Sequence, residues 1–264
     1  MKIGFIGLGN MAKAMIGGML QKEMVKPEDI IGSAKTAATK EKMAKEYGIL
    51  TKESNEAVAA EAEVLVLAVK PQFFSEVITQ IKDSVKPETL IISIAAGKTL
   101  DWIEKAFDRP IKLVRCMPNT PALVGEGCTG VCVNAQVSEE EKAFSVKLME
   151  SFGKASVVPE HLMDAVGAVS GSSPAYVFMF IEAMADAAVA AGMPRVQAYE
   201  FAAQAVYGSA KLVLESGKHP GELKDMVCSP GGTTIQGVRV LEEKGMRGAV
   251  MDALTACVEK SKKL

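Results

Sequence analysis

Short runs of aliphatic and β-branched residues recur through roughly the first 160 positions, each followed by a helical pattern, and then the strand signal stops. KIGFIG (2–7) precedes a helical pattern at 10–22, DIIGSA (29–34) one at 37–47, and EVLVLAV (63–69) one at 73–85; TLIISIA (89–95), IKLVRC (111–116) and GVCVN (130–134) are further apolar runs. Alternation of this kind predicts a parallel sheet with right-handed crossovers, covered on both faces, with ligands at the carboxyl ends of its strands. From residue 161 the pattern is helical only, at 174–191, 195–215, 234–244 and 248–262. Ser173 is expected as an N-cap, Pro174 as the first helical residue and Gly192 as the breaker. The chain therefore divides into an α/β domain, 1–160, and an all-α domain, 161–264.

The helix expected at 174–191 is apolar nearly all the way round, with Glu182 and Asp186 as its only charges. Such helices are buried. A domain this small has little interior of its own, so the pattern predicts an obligate dimer through the helical half. The formal charge is −2, which offers no electrostatic attraction for nucleic acid. Five cysteines without a CxxC pair predict reduced thiols in a cytoplasmic protein, and two histidines without ligand spacing predict no metal site. No uninterrupted apolar run is expected to span a membrane, and the N-terminal MKIGFIGLGN reads as a first strand, not a leader.

IGFIGLGNMA places Gly7 and Gly9 directly after the first strand and Ala12 at the third small position of GxGxx[GA]. Glycines there permit the tight turn and the close approach of a pyrophosphate to a helix N-terminus. A strand before the motif and a helix after it supply the context that a dinucleotide site requires. An NAD site calls for an acid near the end of the second strand. That strand instead ends Gly32-Ser33-Ala34-Lys35-Thr36, whose hydroxyls and lysine suit a 2′-phosphate, so NADPH is expected, with NADH also admitted. AVKPQ (68–72) and SIAAG (93–97) follow the third and fourth of the longer strands, where loops of this topology pass under the nicotinamide. Lys70 reads equally as a cofactor contact or a strand-end charge.

CSPGGTTIQG (228–237) carries more loop chemistry than a helix connection needs. Ser229, Gly231, Gly232, Thr233 and Thr234 precede a helix with apolar residues at Ile235, Val238 and Leu241. Two readings stand side by side: a glycine turn with an ordinary cap, or an anion site built from unpaired helix amides. RCMPNTP likewise offers Asn119 and Thr120 either to a cleft floor or to a structural crossover.

The motifs GFIGLGNMA, AVKPQ, SIAAG, RCMPNTPALVGEG (115–127), SGSSPAY (170–176) and KDMVCSPGGTTIQGVRVLE (224–242) occur in this order over essentially the whole chain, and in this the sequence resembles the pyrroline-5-carboxylate reductases. The resemblance implies an N-terminal Rossmann-type doubly wound sheet followed by an all-α C-terminal dimerisation domain. It implies reduction of the cyclic imino acid Δ1-pyrroline-5-carboxylate to L-proline by NAD(P)H, and homodimers that assemble further into decamers. The cofactor contacts it implies are Ile6, Gly7, Leu8, Gly9, Asn10, Met11, Ser33, Asn55, Ala68, Val69, Lys70, Pro71, Ala95 and Ala96, to which the residue reading adds Lys35. The substrate corner it implies is Ser229 through Thr234, with the carboxylate on the Ser229 hydroxyl and the amides of Gly231, Gly232, Thr233 and Thr234. Thr234 is the candidate catalytic partner of the ring nitrogen. A β-hydroxyacid dehydrogenase also opens GFIGLGxM, but its second domain carries a catalytic lysine, and residues 174–194 contain none. A cofactor-binding sensor without turnover would show an eroded substrate corner; here SPGGTT is intact.

Overall fold

The computed structural model describes residues 1–263. It divides into two compact units, one formed by Met1–Ser172 with the chain from Cys257 onward, the other by Ser173–Ala256.

In chain order the first unit opens with β1 (Ile3–Ile6), α1 (Asn10–Gln21), β2 (Ile30–Ser33), α2 (Ala37–Tyr47), β3 (Leu50–Thr51), α3 (Asn55–Glu61) and β4 (Val64–Leu67). It continues through α4 (Phe74–Ile81), β5 (Leu90–Ser93), α5 (Leu100–Phe107) and β6 (Lys112–Met117). β7 (Gly127–Val133), α6 (Glu139–Glu150), β8 (Gly153–Val157) and the short α7 (Met163–Val166) complete it. The eight strands form one sheet in the order β3-β2-β1-β4-β5-β6-β7-β8. The central strands are buried on both faces, and their alternation sorts them between two cores. Phe5, Val64, Val66 and Ile92 join the cluster that holds Met15, Ile16 and Leu148. Ile6, Leu65, Leu67 and Ile91 join the cluster that holds Phe74, Ile78, Ile103 and Phe107. Near-continuous apolar strands are what such two-sided burial demands. Gly4 is needed because a Cβ there would lie 2.8 Å from both Ala62 Cβ and Val58 Cγ1, so α3 presses directly on β1.

Two features depart from the expected parallel sheet. β7 runs antiparallel to β6, because the link between them is a 3-10 turn (Thr120–Val124) closed by Gly125 at φ +76° and holds no crossover helix. A link without a crossover joins neighbours only in opposite directions. β8, pairing with β7, escapes an apolar-run reading because most of its residues are solvent-facing.

The unit division falls later than position 160, because the segment after that point packs on the sheet's own residues. A Cβ on Gly130 would touch Val166 and Met163, and Gly167 and Gly171 both approach Met117. Arg115, in β6, pairs with Glu160 at 3.0 Å, and the same carboxylate oxygen accepts the Leu100 amide at 2.7 Å. The last turn of the C-terminal helix is tied in through Ser261, whose hydroxyl hydrogen-bonds Asp164 Oδ1 at 2.7 Å.

The second unit comprises α8 (Ser173–Ala190), α9 (Arg195–Ser216), α10 (Pro220–Val227), α11 (Thr233–Glu243) and most of α12 (Met246–Ser261). Ser173 and Pro174 are not the N-cap and first residue of a fresh helix, because α8 continues helix that is already running. A continuous helical run spans Glu160–Ala190, with a π-helical turn over Gly167–Ser172 leading straight into it. Pro174 has no N–H for the Ser170 carbonyl four residues earlier. Asn119 Nδ2 donates to that carbonyl at 3.0 Å, and Asn119 Oδ1 accepts the Cys128 amide at 2.8 Å. Asn119 is thus a structural clamp, supplied from far away in the chain. By length and composition alone, the Glu160–Ala190 helix is long and apolar enough to cross a membrane.

α8 and α9 form a hairpin through Gly192 at φ +99°, closed by Arg195–Asp186 at 2.5 Å, around Ala185, Ala198 and Ala202. Among the described residues only these three alanines and Leu223 are buried in this unit. Phe178, Met179 and Phe201 remain about two-thirds exposed, at 61, 67 and 67%.

Candidate functional site

Gly7 ends β1 at φ +94°, and a Cβ on it would lie 2.8 Å from the Ala68 carbonyl oxygen. The first strand can therefore turn beside β4 only as glycine. Gly9 is different. Its φ is −80° and a Cβ there would meet nothing within 4 Å, so its small size opens space above the start of α1. Gly9 gives α1 no side-chain cap, so no capping side chain occupies the first amides of the helix.

These residues border a cleft of about 960 Å³, a size suited to a dinucleotide. Gly7, Leu8, Gly9, Asn10, Ser33, Lys35, Asn55, Ala68, Val69 and Lys70 all line it, so the main-chain turn, the end of β2 and the end of β4 converge as expected. Ile6 lies fully buried behind the turn, Met11 packs against the core, Pro71 opens the 3-10 turn before α4, and Ala95 and Ala96 follow β5. None of these five side chains forms the wall of that cleft.

The residues fit a nicotinamide dinucleotide on their own geometry: a glycine turn that no Cβ can share, an open helix N-terminus and basic side chains at the β2 end. Lys35 Nζ stands 6.0 Å from the Phe73 ring centroid. Thr36 caps α2 by accepting the Thr39 amide, and the two threonine hydroxyls lie 2.8 Å apart. Ser33 Oγ donates to Asn55 Oδ1 at 2.7 Å. The sequence reading missed Thr39, Lys42, Glu76 and Gln80 on the same walls. Each sits on a helix flank with nothing in its local pattern to set it apart; the four-residue spacing of Glu76 and Gln80 was the one available signal.

The second corner belongs to the helical unit. After α10 the chain turns through Ser229, whose carbonyl accepts the Gly232 amide at 3.0 Å, with Gly231 at φ +70°. Gly232 is the N-cap of α11 and offers no side chain, so the amides of Thr233, Thr234 and Ile235 lack a capping partner. Ser229, Gly231, Thr233 and Thr234 are exposed and Gly232 half-buried. Serine or aspartate at position 232 would have capped this helix. Glycine leaves its positive end available to an anion.

Burial raises the Cys116 thiol well above its ordinary value and pushes Cys132 up to about 11, so neither is a thiolate near neutral pH. Among the described residues no cluster of His, Cys, Asp or Glu could hold a metal ion.

The family model for pyrroline-5-carboxylate reductase dimerisation matches residues 160–264, and that for NADP oxidoreductase, coenzyme F420-dependent, matches residues 2–97. The chain is 54% identical to the pyrroline-5-carboxylate reductase of Escherichia coli, over 100% of this chain and 98% of that protein. It is 44% identical to that of Methanosarcina acetivorans, over 100% and 97%. The crystal structure of the Plasmodium falciparum pyrroline carboxylate reductase with NADP bound superposes with a TM-score of 0.89 at 34% identity, covering 99% of this chain and 97% of that one. A Rossmann-like sheet with an open dinucleotide cleft, joined to a helical dimerisation domain and matched along its whole length by these relatives, places the chain in the family of the pyrroline-5-carboxylate reductases.

Proposed function

We infer that the chain reduces Δ1-pyrroline-5-carboxylate to L-proline, with the cofactor in the β1–α1 cleft and the substrate carboxylate on the first turn of α11. The observation that carries the second placement is the N-terminus of α11: glycine as N-cap, Gly231 in the left-handed region, and no side chain closing the amides. NADPH, when bound, supplies the hydride with its electron pair to the carbon of the C=N bond; NADH serves the same chemistry. The ring nitrogen carries the proton that makes the imine an iminium, and reduction leaves it as the secondary amine.

Little else is asked of side chains. The Gly231–Thr234 amides and the Ser229 hydroxyl orient the carboxylate, and with it the ring, which is positional catalysis. Thr234 is the hydrogen-bond partner of the ring nitrogen. A threonine hydroxyl is too weak an acid to be a strong proton donor, so its part is to orient.

The helical unit is the oligomer contact. The apolar surface of α8 and α9 is covered by a second copy, and dimers stack into a decamer in a cytoplasmic enzyme. Glu182 and Asp186 within the Glu160–Ala190 helix favour a protein partner over lipid. Sedimentation in detergent-free buffer is expected to give a soluble multiple of the chain; recovery only in detergent would overturn the reading. The reaction is tested by following NADPH and NADH oxidation with pyrroline-5-carboxylate and identifying proline. Cofactor binding without oxidation would point to a different imine or to a sensor.

A further inference from the structure

Ser33 ends β2, the position that in a doubly wound sheet faces the 2′ position of the adenosine ribose. The inference rests on that part of the proposed cofactor site. The Ser33 side chain is almost wholly buried, at 2% exposure, and heads a chain of hydrogen bonds. Ser33 Oγ meets Asn55 Oδ1 at 2.7 Å, Asn55 Nδ2 meets Gln80 Oε1 at 2.7 Å, and Gln80 Nε2 meets Glu76 Oε1 at 3.3 Å. All four side chains border the same cleft.

The last member sets the direction of the rest. An ionised carboxylate only accepts hydrogen bonds, whereas an amide donates from one end and accepts at the other. Gln80 must therefore turn its nitrogen to Glu76 and its oxygen to Asn55. Asn55 must turn its nitrogen to Gln80 and its oxygen to Ser33. Ser33 then commits its single proton to Asn55 and presents only lone pairs to a ligand. A ribose 2′-hydroxyl can donate to those lone pairs. A 2′-phosphate, rich in acceptors, gains nothing from them. Reversing the chain would free the Ser33 proton, but it would set the Gln80 oxygen against the Glu76 carboxylate.

We propose that Glu76 is a positioning residue for cofactor choice: through Gln80 and Asn55 it holds Ser33 as a hydrogen-bond acceptor and restrains the preference for a 2′-phosphate. Recognition of that phosphate then falls to the basic side chains of the same cleft, Lys35 and Lys42.

The test is the ratio of the NADH and NADPH dissociation constants, read by nucleotide fluorescence without imine, so that no turnover is involved. Glu76→Gln permits both directions, and the preference for NADPH is expected to rise about three- to tenfold, the scale of one hydrogen bond at a partly exposed site. Gln80→Ala cuts the chain while keeping the carboxylate, and is expected to move the ratio the same way. Neither change is expected to matter in a Ser33→Ala background. An equal shift from Glu76→Gln with and without Ser33 would show a simple charge effect and overturn the proposal, as would an unchanged ratio in Gln80→Ala. If Ser33→Ala alone leaves the ratio at the wild-type value, the placement of Ser33 at the 2′ position has failed, and the proposal with it.

Discussion

The two units bury their apolar residues in opposite ways. In the first, strands covered on both faces divide their side chains between two cores, and Phe5, Phe74 and Phe107 are all but inaccessible. In the second, helices of comparable apolar content enclose three alanines and Leu223 and leave Phe178, Met179 and Phe201 on the outside. A sheet layered between helices makes an interior from one chain; a helical hairpin cannot, and its remaining apolar surface has to be covered by another copy. The matched dimerisation model over residues 160–264 agrees. The same contrast extends to the ligand sites. The proposed cofactor cleft is lined by side chains from several elements, whereas the proposed substrate corner is one turn of main chain.

The sharpest way to break this contrast is a charge on the uncovered helix. Phe178→Glu is expected to abolish assembly and lower activity more than 100-fold, since burying an unpaired carboxylate costs well over about 3 kcal/mol. Light scattering and turnover would be measured together. A dimer that survives with full activity would remove this face from the interface. Phe107→Ala, fully inside the first unit, is expected to lower stability by about 3–5 kcal/mol in denaturant titration while leaving the oligomer intact. Dissociation by this variant would mean that assembly also depends on the core of the first unit.

The ligand corners separate on a smaller scale. Gly7→Ala forces a side chain into a left-handed turn against the Ala68 carbonyl. It is expected to weaken NADPH binding about 30- to 100-fold, from about 2–3 kcal/mol of strain, with the oligomer preserved. Calorimetric titration checks it. Thr234→Ala is expected to lower kcat/KM by about 10- to 100-fold, the loss of one or two charge-assisted hydrogen bonds, without changing NADPH affinity. Wild-type kinetics in this variant would take Thr234 out of the mechanism.

Much of this was legible from local pattern. Gly7 announces its turn because a positive φ is a property of one residue, and the strands of the first unit announce themselves because two-sided burial leaves an apolar run. The anion corner was half-legible: SPGGTT states its loop chemistry, but only the structure shows that Gly232 is the N-cap and leaves α11 without a side-chain cap. Ser173 and Pro174 misled because their cap-like pairing is local, while the π turn that carries the helix past Pro174 is clamped by Asn119, 51 residues before Ser170.

Backbone conformation, helix periodicity and the identity of the glycine turns are short-range properties, set by sterics within a few residues, and they were already present in the order of amino acids. The clamp at Asn119 and the links from Ser33 through Asn55 to Gln80 are long-range. They join residues whose separation in sequence carries no signal, and they exist because the sheet's register brings the ends of β2, α3 and α4 to one wall. Hydrogen-bond direction along that wall depends on which groups meet, and that is settled only when the chain is packed.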